Sequence, residues 1–314
     1  MRFRTSFLVG ASLIASASFA WHDSGHKTIG RLALKGVGSK TQALNELLAN
    51  LPAADSPENS FIAPFPFDLH PPGVVTGTPN LFNANIEDAS VWPDNVRRTW
   101  MDRPTWHYIN HRIVYDGIVP PPLPEVNVET AIVKIAKLAR DPNISAHTRA
   151  ACVAWLCHLV GDLHQPLHSV ALFDKEHPEG DRGGNNFFPK EDSDQKDKSL
   201  PPINLHAYWD SVGHLGDAGV DGLLKHSAKY AVKESTFSLA NLEKEVKKWG
   251  AESEKLAKDY VYRVAGPGSP RLTTNETKWF KNQRNYRKLA QVQCLKRIRQ
   301  AGSRLGRLLY LVLQ

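Results

Sequence analysis

Two histidine–aspartate pairs with the same spacing are the strongest chemical signal in the sequence. His158 and Asp162 stand four residues apart in HLVGDLHQPLH, and His206 and Asp210 stand four apart in NLHAYWD. Residues four apart lie on one face of an α-helix, so each pair can present an imidazole nitrogen and a carboxylate oxygen to one cation. His168 follows the first pair just after a proline, which is expected to end the helix and turn the chain back. Many helices carry one such pair by chance, but two pairs with a further histidine indicate a metal site.

Three residues upstream can extend this site. They are His26 in WHDSGH, Asp94 in VWPDNVRR and His107 in TWHYIN. The whole set offers nitrogen and oxygen atoms, with no cysteine evidently involved, and this ligand chemistry suits zinc. The chain holds 13 histidines against 2 methionines, and histidine is the commonest metal ligand. For any single member of the set, an ordinary surface or core histidine is the alternative interpretation.

Residues 1–20 read as a segment of their own. Two arginines precede a short apolar run, and a small-x-small motif ends at Ala20, which is the pattern of a cleaved signal peptide. The apolar run is too short to span a bilayer comfortably, although an uncleaved anchor is the alternative. We expect cleavage after Ala20, a mature chain that begins at Trp21, and a secreted or periplasmic protein.

Composition sets broad limits on the function. The chain has 314 residues, of which 41% are hydrophobic and 23% are charged, which excludes a disordered protein. Lysine and arginine outnumber aspartate and glutamate by 39 to 32 in the full sequence and by 37 to 32 after residue 20. The positive excess suits an anionic partner without selecting one. No later apolar run approaches the length of a membrane span, so we expect no stable membrane association.

Three cysteines are too few for a disulfide framework. Cys152 and Cys157 lie five apart in one expected helix, which is a poor geometry for a bond between them. Cys294 can pair with one of them, or all three can be buried thiols, and the sequence leaves both possibilities open.

The elements that must position these residues are predicted to be helices. Apolar residues recur at helical spacing in most of the chain, over 26–49 with an interruption near Gly36–Gly38, from residue 87 to 98, and over 126–141, 145–163, 205–211, 236–264 and 276–313. Stretches rich in proline, glycine or charge predict loops over 52–80 and an exposed loop over 174–202. No alternating β pattern or internal repeat is evident. The sequence predicts one all-α domain over residues 21–314.

Several motifs occur in an order that makes a specific resemblance. WHDSGH, WxDxxR, WHYIN, HxxxDxHQPLH, RGGN and NLHxxWD follow one another between residues 21 and 210. They resemble the S1/P1 family of zinc-dependent, single-strand-preferring nucleases, which is related to zinc phospholipase C. The resemblance implies a mostly helical domain of the phospholipase C/P1 nuclease type with a trinuclear zinc cleft.

The resemblance also implies which residues hold three Zn²⁺ ions. The first ion would be held by side chains of four residues, Asp94, His107, His158 and Asp162. The second would be held by His168, His206 and Asp210. The third would be held by the free α-amine and carbonyl of Trp21, by His26 and by Asp162. Asp162 would therefore bridge two ions, and the α-amine could bind only after the signal peptide is removed.

The implied activity is that of an endonuclease on RNA and single-stranded DNA, with 5′-phosphate products and 3′-nucleotidase activity on 3′-mononucleotides. In the family mechanism zinc activates a water, and Asp94 aligns or deprotonates it. Arg97, where well-known members carry lysine, would stabilise the phosphate, and a surface arginine is the alternative. Asn185 in RGGN would contact the phosphate.

Two further residues are implied to contact the base. Tyr108 could stack on it, or could be a core aromatic residue. Asn110 departs from the acidic residue of fungal members, which puts the base preference in doubt. His22, His111 and His164 are interpreted as residues that bind no metal.

Two other functions compete with this interpretation. A zinc phospholipase C acting on phospholipid head groups shares the N-terminal tryptophan and the trinuclear site, but WxDxxR, RGGN and HQPLH favour the nuclease. A non-catalytic zinc-binding protein would keep the ligands without needing Arg97 and Asn185. We expect a monomer.

Overall fold

Helices account for most of the computed structural model, which describes residues 21–55, 81–188, 204–272 and 283–314. The prediction of a mostly helical fold is confirmed. The α-helices of the described residues are α1 Asp23–Val37, α2 Thr41–Leu48, α3 Ile86–Asn95, α4 Val128–Leu138, α5 Ala146–His164, α6 Leu205–Asp210, α7 Gly219–Ser227, α8 Leu242–Leu256 and α9 Gln283–Val312.

Helix α5 forms the centre of the core. Ser145 caps it by accepting a hydrogen bond from the Thr148 amide at 3.1 Å, and every residue from Ala150 to His164 is buried. A helix that is apolar on all sides belongs in the interior of a protein. Helices α1, α3, α4 and α9 pack against it. The two α5 residues of the first histidine–aspartate pair are therefore held on a rigid, fully enclosed element.

Helices α1 and α9 cross at very short range. A Cβ atom on Gly306 would lie 2.4 Å from the Ala33 carbonyl oxygen and 2.9 Å from the Gly36 Cα. Any side chain at residue 306 would push the helices apart. The close crossing fixes α1, which carries His26, against the end of the chain.

Two short strands depart from the predicted all-helical pattern. Strands β1 (His111–Val114) and β2 (Val170–Phe173) pair in parallel, with His111 opposite Val170. Each has only four residues, and all four residues of β2 are buried, so neither shows the alternation that reveals a half-exposed strand. No alternating pattern marked them in the sequence for this reason, and the fold remains mostly helical as predicted.

Several predicted boundaries also changed. Gly38, with φ +54°, separates α1 from α2 as expected. The helix predicted from residue 236 begins only at Leu242, and after Leu256 it continues as a π-helical turn over Ala257–Val261. Residues 56–80, 189–203 and 273–282 lie outside the described residues, and with them most of the first predicted loop and part of the second.

The cysteine alternatives are settled by the structure. Cys152, Cys157 and Cys294 are all buried free thiols. Burial raises the pKa of Cys152, so this thiol stays protonated and unreactive at neutral pH. Among the described residues, no helix has the length and apolar character of a membrane span.

Candidate active site

Helices α3 and α5 and the turn before β1 bring four predicted ligands together. The Nδ1 atom of His107 lies 3.0 Å from Asp162 Oδ2 and 3.1 Å from His158 Nε2. His158 Nε2 in turn lies 3.3 Å from Asp162 Oδ2 and 3.6 Å from Asp94 Oδ1. His107 is carried by the 3-10 turn Pro104–His107. We call Asp94, His107, His158 and Asp162 the first cluster.

Helix α1 adds His26 on the other side of Asp162. His26 Nε2 lies 3.4 Å from Asp162 Oδ1, and its ring stacks on that of His158 at 4.0 Å between centroids. A Cβ atom on Gly161 would lie 2.7 Å from His26 Nδ1, so glycine leaves the room this ring occupies. Trp21 is buried, and its indole N–H donates to the Gly161 carbonyl at 2.9 Å. Asp162 thus faces the first cluster with one oxygen and His26 with the other.

The residues predicted for a second ion form a separate group. His168 and His206 point their Nε2 atoms at each other at 3.1 Å, and Asp210 Oδ2 lies 3.4 Å from His206 Nε2. Gln165 donates to Asp210 Oδ1 at 2.6 Å and so orients the carboxylate. The His22 amide donates to the Asp210 carbonyl at 3.1 Å, which holds the start of α1 beside this group. We call His168, His206 and Asp210 the second cluster.

The hydrogen bonds of the imidazoles define which nitrogen is free. His158 Nδ1 lies 2.8 Å from the Ser90 carbonyl, His168 Nδ1 lies 2.7 Å from the His107 carbonyl, and His206 Nδ1 lies 2.7 Å from the Gly183 carbonyl. A carbonyl only accepts, so each Nδ1 carries the proton and each neutral ring presents a lone pair at Nε2. The two lone pairs of the second cluster therefore face each other, an arrangement that a cation between them would make favourable.

Burial sets the charge state of the same residues. It lowers the pKa of His26 and of His206 to about 4, and it is also the largest cause of the lowered pKa values of His107, His158 and His168. Neutral imidazole is the form that binds a metal. Burial raises the pKa of Asp162 to about 8 and that of Asp210 well above its usual value.

Taken together, these groups fit a metal centre. Two buried carboxylates are costly to ionise alone, and a bound cation would offset that cost. His26 Nε2 and Asp162 Oδ1, which face each other, are both buried with no hydrogen-bond partner in the described residues. Three groups of side chains have ligand atoms within 4.8 Å of one another and could each hold an ion: His26, His158 and Asp162; Asp94, His107 and His158; and His168, His206 and Asp210.

Above the clusters lies a cleft of about 420 Å³. His107, His168 and His206 form part of its lining. The predicted substrate residues line it as well, namely Arg97, Tyr108, Asn110 and Asn185. Arg97 holds Asp94 through an ion pair of 2.7 Å between Nη2 and Oδ1. The structure thus brings the predicted phosphate and base residues to the same opening as the clusters.

The cleft also contains residues that the sequence did not single out as substrate contacts. Arg98, Arg112 and Arg182 add cationic side chains to its walls, and apolar surface comes from Phe173 and the segment 121–124. The pairing of β1 with β2 places Arg112 opposite Ala171 in this wall. Arg98 directly follows WxDxxR and Arg182 opens RGGN, but Arg112 lies outside the quoted motifs, and only the folding of distant segments brings it to this wall.

The prediction of an exposed loop over 174–202 is wrong for the segment that directly follows β2, which is partly buried. Within 174–187, Asp174, His177, Asp181 and Phe187 are buried. Asp181 accepts from the Leu172 amide at 2.8 Å and from the Tyr262 hydroxyl at 2.5 Å. This acid and phenol anchor the loop from inside, an interaction across 81 positions that the sequence could not reveal.

The anchored loop carries RGGN in an unusual backbone conformation. Arg182, Gly183 and Gly184 have φ values of +56°, +63° and +80°. A Cβ atom on Gly183 would lie 2.3 Å from the Leu167 carbonyl oxygen, so only glycine fits there. The Gly183 carbonyl then accepts from His206 Nδ1. Asn185 donates from Nδ2 to the Arg182 carbonyl at 2.9 Å and turns toward the cleft.

The three histidines interpreted as residues that bind no metal lie outside all three groups. His22 is exposed. His111 Nε2 lies 3.0 Å from Glu129 Oε1. His164 is buried on α5, where its Nδ1 lies 2.7 Å from the Val160 carbonyl and its Nε2 lies 2.8 Å from Arg304 Nη1.

A mostly helical fold with three histidine–aspartate groups that could each hold an ion points to the class of helical, metal-binding proteins. A family model described as S1/P1 Nuclease matches residues 21–314. Endonuclease 5 of Arabidopsis thaliana is 25% identical over 217 residues, which cover 59% of this chain and 67% of the relative. The chain belongs to the S1/P1 nuclease family, and it is a nuclease.

Proposed function

We propose that this chain is an exported, zinc-dependent endonuclease that cleaves RNA and single-stranded DNA to 5′-phosphate products and also acts on 3′-mononucleotides. The observation that carries the proposal is the position of two histidine–aspartate clusters, joined to His26 through Asp162, at the base of an arginine-lined cleft. Nitrogen and oxygen ligands of this kind suit zinc. The cationic walls suit a phosphate backbone.

The proposed ligand sets follow the geometry of the clusters. One ion would be held by the first cluster and one by the second. A third would be held by His26, by the second oxygen of Asp162 and by the backbone amine and carbonyl of Trp21. The contacts of Trp21 and His22 with Gly161 and Asp210 keep the start of the mature chain beside these carboxylates. Zinc bound there would lower the pKa of a water and offset charge on phosphoryl oxygens.

Asp94 and Arg97 are proposed to act on the reacting groups. The Asp94 side chain is only 5% exposed and faces His158, so it can orient the attacking water and accept its proton. The Arg97 side chain, 20% exposed, reaches the cleft while holding Asp94. Its guanidinium can donate to a phosphate oxygen as negative charge develops. Asn185 would add a further donor from its side-chain amide.

Tyr108 is proposed to bind the base. It is 37% exposed and lines the cleft, which places its ring where an unpaired base can stack. Asn110 lines the same cleft and can both donate to and accept from a base edge. A base held inside a duplex would first have to leave its stack to reach this surface. We therefore propose a preference for single strands over duplex DNA.

Export and domain organisation belong to the same proposal. Residues 1–20 lie outside the described residues, and their sequence supports a cleaved signal peptide. Trp21 is buried at the site rather than trailing into solvent. We propose that residues 21–314 form one catalytic domain, active as a monomer once Trp21 is the N terminus.

A side-by-side assay of the mature protein tests this function. Single-stranded RNA, single-stranded DNA, the matched DNA duplex and phosphatidylcholine vesicles are incubated with equal amounts of enzyme, and the product ends are identified. We expect cleavage of the single strands with 5′-phosphate ends and slower cleavage of the duplex. Turnover of lipid alone would favour the phospholipase C alternative. Metal binding without any hydrolysis would favour a zinc-binding protein.

A further inference from the structure

The net positive charge of the mature chain resides in one helix. Helix α9 carries eight lysines and arginines and no acidic residue. Without them, the mature chain would have 29 basic residues against 32 acidic ones, instead of 37 against 32. The positive excess that suits an anionic partner is therefore concentrated on α9 rather than spread over the surface.

Two of these eight residues serve the interior. Arg297 is buried and donates to Glu252 at 3.0 Å and to the Ser253 hydroxyl at 2.6 Å. Arg304 donates to both oxygens of the same Glu252. These arginines hold α8 to α9 and are not available to a partner.

Other basic residues of α9 lie on its outer face. Lys288 and Lys296 are exposed, and Arg299 is partly exposed. Positions 288, 296, 299 and 307 lie within about 100° of one another around a helix of 3.6 residues per turn. They form a stripe along one side, whose far end is Arg307.

The segment 229–237 runs beside this stripe and adds positive charge to it. Two ammonium groups lie over the Tyr230 ring, with Lys229 Nζ 5.3 Å and Lys296 Nζ 5.8 Å from its centroid. Further along, the Ser303 hydroxyl donates to the Lys233 carbonyl, and Arg307 Nε donates to the Phe237 carbonyl at 2.9 Å. The segment follows α9 from residue 296 to residue 307, about 16 Å at 1.5 Å per residue.

Few acids offset this charge. Glu234 lies in the segment, but it pairs with Lys35 at 2.9 Å. Besides Arg307, which donates to the Phe237 carbonyl, five cationic side chains lie on this face: Lys229, Lys233, Lys288, Lys296 and Arg299. Among the described residues, no carboxylate forms an ion pair with any of these five. We call these five residues together with Tyr230 the α9 cationic surface.

We propose that the α9 cationic surface binds the phosphate backbone of single-stranded nucleic acid at a second site outside the cleft. None of its residues lines the cleft. Lysine and arginine side chains bind a strand by releasing its counterions, and the Tyr230 ring holds two of these ammonium groups close together. This inference rests on the proposed function, because the surface would hold a long substrate while the cleft cleaves it.

The test separates the second site from the cleft by substrate length. The variant Lys229→Gln/Lys296→Gln/Arg299→Gln is compared with Lys40→Gln/Lys137→Gln/Lys244→Gln, which removes the same charge elsewhere. For each mature protein, kcat/KM is measured on a 40-nucleotide RNA and on a dinucleotide too short to reach both sites. Thermal unfolding confirms that the variants are folded. Anisotropy of a labelled phosphorothioate 40-mer, which resists cleavage, is titrated at several salt concentrations.

We expect the surface variant to lose about tenfold in kcat/KM on the 40-nucleotide RNA at low salt and to keep its rate on the dinucleotide. The slope of log affinity against log salt for the 40-mer should fall by about 2, near 0.7 for each of three lost phosphate contacts. Wild-type values in the surface variant would overturn the proposal. If the surface variant loses binding to phosphatidylglycerol vesicles but binds the 40-mer as wild type does, the proposal is overturned, and the surface binds lipid instead. If no nucleic acid is cleaved, the proposed function fails, and the anisotropy titration still decides on the second site.

Discussion

His158 and His164 lie on the same helix, and both are fully buried, yet their surroundings differ. His158 turns Nε2 toward His107, Asp94 and Asp162. His164 turns Nε2 toward the guanidinium of Arg304, which donates to it. Burial lowers the pKa of both.

What distinguishes the proposed ligand His158 from His164 is the group that faces the Nε2 atom. Burial and a lowered pKa are common to both residues. A guanidinium satisfies the lone pair of His164 and repels any cation, whereas the lone pair of His158 faces carboxylates that need a positive charge beside them. The group that faces the Nε2 atom therefore separates a proposed metal ligand from a structural histidine.

The largest effect is expected from Asp162→Asn. This change removes the one carboxylate that faces both the first cluster and His26. We expect kcat/KM on single-stranded DNA to fall by about a thousandfold or more, together with loss of bound zinc. The exposed Asp217→Asn is the matched control. An Asp162→Asn protein with full zinc and near wild-type activity would contradict the ligand assignment.

Extending the chain before Trp21 is expected to have the next largest effect. A tag fused directly to Trp21 would convert its amine into an amide, which cannot serve as an amine ligand. We expect loss of one zinc per chain and of most activity, both restored by proteolytic removal of the tag. Elemental analysis before and after removal makes the comparison. Full metal and activity in the fusion would show that the amine is not a ligand.

Arg97→Ala tests the cleft above the first cluster. The change removes a donor to the phosphate and the partner of Asp94. We expect kcat to fall about a hundredfold with the zinc content unchanged. Arg97→Lys should recover part of that loss, since lysine keeps the charge but not the fork of donors. Equal activity of Arg97→Ala and wild type would remove Arg97 from the mechanism.

Tyr262→Phe tests the support of the RGGN loop. The change removes the hydrogen bond from the Tyr262 hydroxyl to Asp181. Asp181 anchors the loop whose Gly183 carbonyl orients His206. We expect about a tenfold fall in kcat/KM and weaker zinc binding at the second cluster, measured by competition with a chelator. Tyr260→Phe, two positions away, is the control. Unchanged zinc affinity in Tyr262→Phe would mean that Asp181 alone holds the loop.

The smallest effect on activity is expected from His164→Gln. Glutamine can still accept from Arg304, and no cluster residue changes. The folded pKa of His164 lies well below its usual 6.5 because of burial and nearby arginines. The unfolded chain therefore binds more protons below pH 6.5, and His164 makes stability fall as pH drops from 6.5, by up to about 1.4 kcal/mol per pH unit. Urea unfolding between pH 5 and 7 should be less pH-dependent in the variant. An equal pH dependence would contradict this.

The sequence could predict the parts of the site that depend on local spacing. Four-residue spacing places His158 with Asp162, and His206 with Asp210, because the helix geometry is fixed. The ordered motifs indicate the family without any knowledge of the fold. The pairing of Arg112 with the β2 wall and the Asp181–Tyr262 contact depend on the meeting of distant segments, which no local pattern encodes. The two strands escaped because each has only four residues and β2 is buried throughout.

The zinc content of the mature protein tests most directly whether the clusters hold metal and His164 does not. Wild-type protein purified without chelator is analysed for zinc per chain beside His158→Gln and His164→Gln, two like changes on one helix. We expect three zinc ions in the wild type and in His164→Gln, and fewer in His158→Gln. No zinc in the wild type, or equal losses in the two variants, would contradict the account.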